Sequence, residues 1–219
     1  MHLGFLAWSF SFEGHASMRL WFLRIMLLGM AYDNLMLVLG PLGVGNDWYV
    51  AANYPRYLLH AGVLPFLTIF TLSAMQVTRV PLAEKPAFIA FCWVFTGVAW
   101  IYGMWHEVLL LELEPKVVLD HARLVSVSKI PPLATIATNI FILPLAFLVW
   151  RQSGFWLFFA GTLFIFLLNG GTGGQPWGFI AGNGGEVIFI CSLLITERFL
   201  IRTRTRPTPG NRDLSEEIV

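Results

Sequence analysis

Long apolar runs constrain this chain more than any other feature. They lie at about Arg19 to Pro41, Tyr54 to Val77, Pro86 to Leu111, Pro131 to Trp150, Phe155 to Asn169 and Trp177 to Ile201. A helix needs about 20 mainly apolar residues to cross the hydrocarbon core, whereas a barrel strand needs only about ten, alternating in character. Continuous runs of this length satisfy their backbone polar groups internally as helices. The expected fold is therefore all-α, a polytopic integral membrane protein built as a six-transmembrane-helix bundle. The fifth run is short for a span and leans on its flanking glycines or a locally thin bilayer.

Composition points the same way. Hydrophobic residues make up 57% of the 219 and charged residues 12%, roughly half the charged share of an average soluble domain. Disorder and a basic nucleic-acid binder are excluded by this balance, with 14 Lys and Arg against 13 Asp and Glu. Two cysteines exclude a disulfide-stapled secreted module. Cys92 and Cys191 fall within runs and read as reduced packing residues. The expected partners are membrane lipids, with no nucleic acid, in a homo-oligomer or a larger membrane complex.

Lys and Arg between the runs set the expected orientation. Arg19 and Arg24 lead into the first run, Arg79 and Lys85 join the second and third, Arg151 joins the fourth and fifth, and Arg198 to Arg212 follow the sixth. Both termini are thus expected to be cytoplasmic. Lys116, Arg123 and Lys129 fall outside, balanced by Glu112, Glu114 and Asp120. The chain divides into an N-terminal segment, 1–17, either interfacial or untranslated if synthesis starts at Met18, a helical domain, 18–201, and a flexible cytoplasmic tail, 202–219.

Ionisable groups inside a span are costly and mark candidate sites. Asp33 and Asn34 fall in the first run, Arg56 and His60 in the second, His106 and Glu107 in the third, Asn139 in the fourth, Asn183 and Glu186 in the sixth. With the topology above, all lie within roughly 15 Å of the external end of their helices at about 1.5 Å rise per residue. The inner halves are expected to hold almost none. Arg56 and His60 share a helix face, as do Asn183 and Glu186. A polar cavity in the outer half of the bundle follows.

Three carboxylates with one arginine cannot all stand ionised and unpaired in a low dielectric. Three resolutions correspond to three functions. His60, His106, Glu107, Asp33 and Glu186 make a nitrogen and oxygen set suited to a divalent metal, zinc, iron or manganese, activating water or oxygen. The same five as acid-base groups, with Asn34, Arg56, Asn139 and Asn183 binding substrate, make an enzyme acting on a lipid or other membrane-soluble substrate, the leading expectation. Asp33 and Glu186 as proton acceptors make a small proton-coupled carrier, with Pro65 and Pro144 as helix breaks. Interhelical pairing alone, such as Asp33 with Arg56, makes a structural or cofactor-holding subunit.

Three further features bear on the site. The segment from Glu112 to Ile130 reads as an external loop or a lid, with Asp120 and His121 as second-line ligands. Trp100 and Trp105, near His106, are candidates to line an apolar pocket. The glycine-rich stretch from Asn169 to Glu186 lacks the lysine and serine or threonine of a phosphate loop, so Gly178 and Gly182 read as a close-packing face.

Overall fold

The computed structural model describes residues 1–12 and 17–205. It is mostly helical: α1 (His2–Ser9), α2 (Met18–Gly43), α3 (Asp47–Val63), α4 (Leu67–Val77), α5 (Pro86–Gly103), α6 (Leu133–Ser153), α7 (Leu157–Thr172) and α8 (Gly178–Thr205). Of the tail expected from Arg202 onward, the portion from 206 to 219 lies outside the described residues, and the part before it continues α8.

Five helices are long and apolar enough to cross a membrane: Met18–Gly43, Asp47–Val77, Pro86–Leu109, Leu133–Ser153 and Gly178–Thr203. The second joins α3 and α4 through a single 3-10 turn, Leu64–Phe66. Pro65 stands at the start of this turn, where its missing N–H cannot serve the carbonyl four residues back and its ring crowds the helix behind it. The short fifth run forms α7, whose 16 residues reach about 24 Å at the usual rise. That leaves it below the length of the other five.

Small residues let α7 and α8 approach closely. A Cβ on Gly161 would strike Ser192, and one on Gly185 would strike Leu168 and Ile165. Gly178, expected on this face, instead lies against the backbone of Thr172 in the connection between the two helices. The buried core runs through α2, α4, α6, α7 and α8, with Leu23, Leu27, Phe70, Ile142, Phe158 and Leu193 at its centre. Cys92 is buried and Cys191 half-buried, both as free thiols.

The segment between α5 and α6 is not an open loop. It folds into an antiparallel hairpin, β1 (Leu113–Val118) and β2 (His121–Ser126), with Val118 opposite His121. The alternation in this stretch supports a strand because one face has something to pack on. Leu124 is buried with Met36 and Tyr49, and the His121 Nε2 lies 2.7 Å from the Leu37 carbonyl oxygen. Gly40 permits the approach, since a Cβ there would run into the Ala122 carbonyl.

A second charged cluster corrects the expectation that one half of the bundle is almost free of such groups. Arg19 Nε donates to Glu197 Oε2 at 2.6 Å, its Nη2 to Oε1 at 3.2 Å, and its Nη1 to Ser73 Oγ at 2.8 Å. Ser17, which caps α2 by accepting from the Leu20 amide, also donates to Glu197. The Glu197 side chain is 0% exposed. This cluster ties α2, α4 and α8 together about 27 Å along α2 from the hairpin contact at Leu37. Arg24 is buried as well. It donates to Ser9 Oγ and the Ser9 carbonyl at 3.1 and 3.0 Å and lies over the Phe10 ring. Neither arginine is a loop charge. Both fasten helices, because a buried guanidinium persists only where acceptors meet its donors.

Candidate functional site

One cavity of about 340 Å³ gathers six of the expected residues: Asp33 from α2, Arg56 and His60 from α3, His106 and Glu107 beyond α5, and Glu186 from α8. Two local irregularities place the central pair. His60 stands one turn before the break at Pro65, and Leu64, inside that break, is also a cavity wall. Glu107 sits in a π-helical turn, Met104–Leu109, that extends α5. There the Leu110 amide reaches back to the Trp105 carbonyl at 3.1 Å. A π turn shifts the register of the residues within it and recurs at functional sites. Here the Glu107 carboxylate faces His60, with Oε2 3.5 Å from Nδ1, while the adjacent His106 stacks on Tyr102 at 5.6 Å between ring centres.

The Asp33 and Arg56 side chains form a second pair, Nε to Oδ1 at 2.6 Å. Arg56 also donates from Nη1 to Asn53 Oδ1 at 2.8 Å. Asn53, fully buried, is a residue that sequence reasoning missed. It falls three positions before Arg56 on the same helix face, but it precedes the apolar run that starts at Tyr54, whereas α3 begins at Asp47. Ser126 and Ser128, at the end of the hairpin, complete the polar wall.

A smaller cavity of about 50 Å³ shares His60 and Glu186 with the first and adds Thr138, Asn139 and Asn169. It has room for one or two waters at about 30 Å³ each. Asn139 is thus placed beside the main cavity. Asn34 instead donates to the Met30 carbonyl of its own helix at 2.8 Å, and Asn183 lines neither cavity.

The five candidate metal ligands do not form a chelating set. Among the described residues no group of three or more His, Cys, Asp or Glu is disposed to hold a metal ion. The geometry explains why: Asp33 is taken by Arg56, and Glu107 turns one oxygen to His60. Asp120 and His121 are also off the cavity. His121 tethers the hairpin, and Asp120 occupies its turn. Trp100 and Trp105 are 39% and 59% exposed and belong to neither wall.

Arg123, on β2, lies over the Phe179 ring at 4.2 Å, and its Nε is buried without a hydrogen-bond partner. Burial, then the neighbouring Arg56 guanidinium, draws its pKa below the ordinary arginine value. A second orphan lies inside the cavity, the Glu107 Oε1, buried and without a partner.

The site therefore offers an imidazole braced by a carboxylate, a neutralised arginine pair and an unpartnered acceptor, beside an apolar wall. Such a cleft, with a few convergent polar groups, is the usual setting of a small-molecule site. No protein-family model, curated protein or solved structure matches the chain.

Proposed function

We propose that this is an integral membrane enzyme acting on a lipid or other membrane-soluble substrate, with His60 and Glu107 as its acid-base pair. The observation that carries the reading is the meeting of Asp33, Arg56, His60, His106, Glu107 and Glu186 in the lining of one cavity. Scattered structural charges have no reason to share a void. Ile25, 45% exposed, and Ile130, 52% exposed, also line the cavity, so a ligand dissolved in lipid can reach it from the side.

In this reading His60 takes a proton from a substrate hydroxyl or from water, and the Glu107 carboxylate stabilises the imidazolium that results. The fixed dipole of the Asp33 and Arg56 pair orients the reacting group. The smaller cavity beside His60 and Glu186 is placed to hold the water. α7 serves as a sixth, short span in a thinned bilayer. Both termini are then cytoplasmic and the hairpin external, a topology that cysteine labelling from either side at Lys116 and Arg151 would read directly.

The test of the activity is incubation of the purified full chain with a total membrane-lipid extract, followed by mass spectrometry. The expected result is a lipid-derived product that grows with time and is lost in His60→Asn. A folded wild-type protein that alters no lipid, but moves protons in liposomes in a Glu186-dependent way, would replace the enzyme with a carrier.

A further inference from the structure

The main cavity is polar at one end and apolar at the other. From Asp33 to Ile25 along α2, and from Arg56 to Leu64 along α3 and the 3-10 turn, the lining changes from charged to aliphatic over about 12 Å. Ile25, Met26, Gly29, Leu59 and Val63 line this apolar arm. A Cβ on Gly29 would stand 3.5 Å from the Leu59 Cβ, in ordinary contact, so α2 and α3 approach closely here and any longer side chain at 29 would have to enter the arm. The whole volume, about 340 Å³, holds roughly a dozen water-sized groups at about 30 Å³ each. That suits one medium-length chain with a small head.

The polar end selects the head. Its one arginine is engaged, by Asp33 through Nε and by Asn53 through Nη1. Arg123, the nearest other guanidinium, lies on Phe179 and is not part of the wall. Acceptors are in surplus, with Glu107 Oε1 buried and lacking any donor and Glu186 in the same lining. An anionic head would add charge beside three carboxylates, whereas an ammonium or an amino alcohol brings a donor to the Glu107 oxygen that has none.

Building on the enzyme reading, we infer that the cavity takes a single-chain amphiphile with a cationic, donor-rich head, a long-chain amine or amino alcohol, seated with its nitrogen against Glu107 and its chain along Gly29 and Leu59. The reading requires no group that the chain does not itself supply.

Binding of radiolabelled dodecylamine to the full chain in phosphatidylcholine nanodiscs tests this, with unlabelled dodecanoate, dodecanol and butylamine as competitors. Equal chain length in the first two competitors separates headgroup recognition from partition into lipid. Saturable binding is expected, with dodecanoate and butylamine each about tenfold or more weaker competitors than dodecylamine itself. Glu107→Gln, nearly isosteric, is expected to weaken dodecylamine by about tenfold while leaving dodecanol unchanged. Glu186→Gln supplies the same comparison should Glu107→Gln not fold. Gly29→Leu, which narrows the arm, is expected to weaken every long-chain probe.

Two outcomes overturn the inference in distinguishable ways. Dodecanoate competing as well as dodecylamine, or indifference to both glutamine variants, removes the cationic head but leaves the cavity reading standing if Gly29→Leu still matters. Absence of saturable binding by any probe, or binding blind to Gly29→Leu as well, removes both.

Discussion

His60 and Glu107 meet across the cavity, Nδ1 to Oε2 at 3.5 Å, and each is delivered by a defect in its helix. His60 precedes the proline break of the second span, and Glu107 lies in the π turn that extends α5. Regular helices would give neither the space nor the register for this approach. The distortion is therefore associated with the site rather than spread through the bundle.

This pair is expected to matter for activity and little for stability. The contact is long for a hydrogen bond, Nδ1 to Oε2 at 3.5 Å, and both groups line the cavity, so its loss should cost about 1 kcal/mol or less. Thermal unfolding of His60→Asn and Glu107→Gln should give melting temperatures close to wild type, while both variants lose substrate turnover. A large fall in stability with turnover retained would make the pair a structural strut.

The Arg19 and Glu197 pair predicts the opposite. It is buried on both sides, with side-chain exposures of 7% and 0%, and it joins three helices. Removing one partner by Glu197→Leu or Arg19→Met leaves an uncompensated buried charge or orphaned donors and should cost about 3–5 kcal/mol. Removing both should cost less than either single change, because the desolvation penalty goes with them. Denaturation of the two singles and the double in one detergent reads this, and strictly additive losses would contradict it.

The contrast between the two pairs shows what the sequence could and could not reveal. Continuous apolar runs locate most of the long helices to within a few residues, because the bilayer requirement acts on each segment alone, but the start of α3 at Asp47 falls well before the run at Tyr54. The runs also bring out Asp33, Arg56, His60, His106, Glu107 and Glu186, since charge inside an apolar run is conspicuous. Arg19 and Arg24 sit at the start of the first run, where arginines read as topology signals, and Glu197 near the end of the sixth draws no reading from the sequence. Only tertiary packing shows that they are buried. Asn53 falls outside the apolar run, and the hairpin is not legible as paired strands because its packing face belongs to α2. Metal ligation looked plausible from residue types, but it depends on convergence, which spacing along separate helices cannot supply.

The hairpin turn carries backbone strain that a substitution can release. Leu119 and Asp120 have φ of 53° and 60°, the left-handed region that disfavours a side chain by roughly 1–2 kcal/mol. Two-residue turns of this kind favour Asn-Gly. Leu119→Asn with Asp120→Gly should stabilise the hairpin by about 1 kcal/mol. Amide exchange across 113–126 should slow correspondingly, with the helices unaffected. Faster exchange would mean that the Leu119 side chain has an anchoring contact that outweighs the strain.

The proline break offers the sharpest separation of stability from function. Pro65 is buried and interrupts the second span beside His60, and an interior proline costs a helix about 3 kcal/mol. Alanine restores the missing N–H and removes the ring from the preceding turn. Against this gain stands the loss of a buried ring, so Pro65→Ala should leave the melting temperature unchanged or raised. A straightened span would carry Leu64 into the apolar arm and shift His60 away from Glu107. Long-chain ligand binding and turnover should then fall together in a protein that is no less stable. Should Pro65→Ala instead melt several degrees lower with ligand capacity intact, the proline is a packing residue, and the cavity owes its shape to the glycine and the π turn alone.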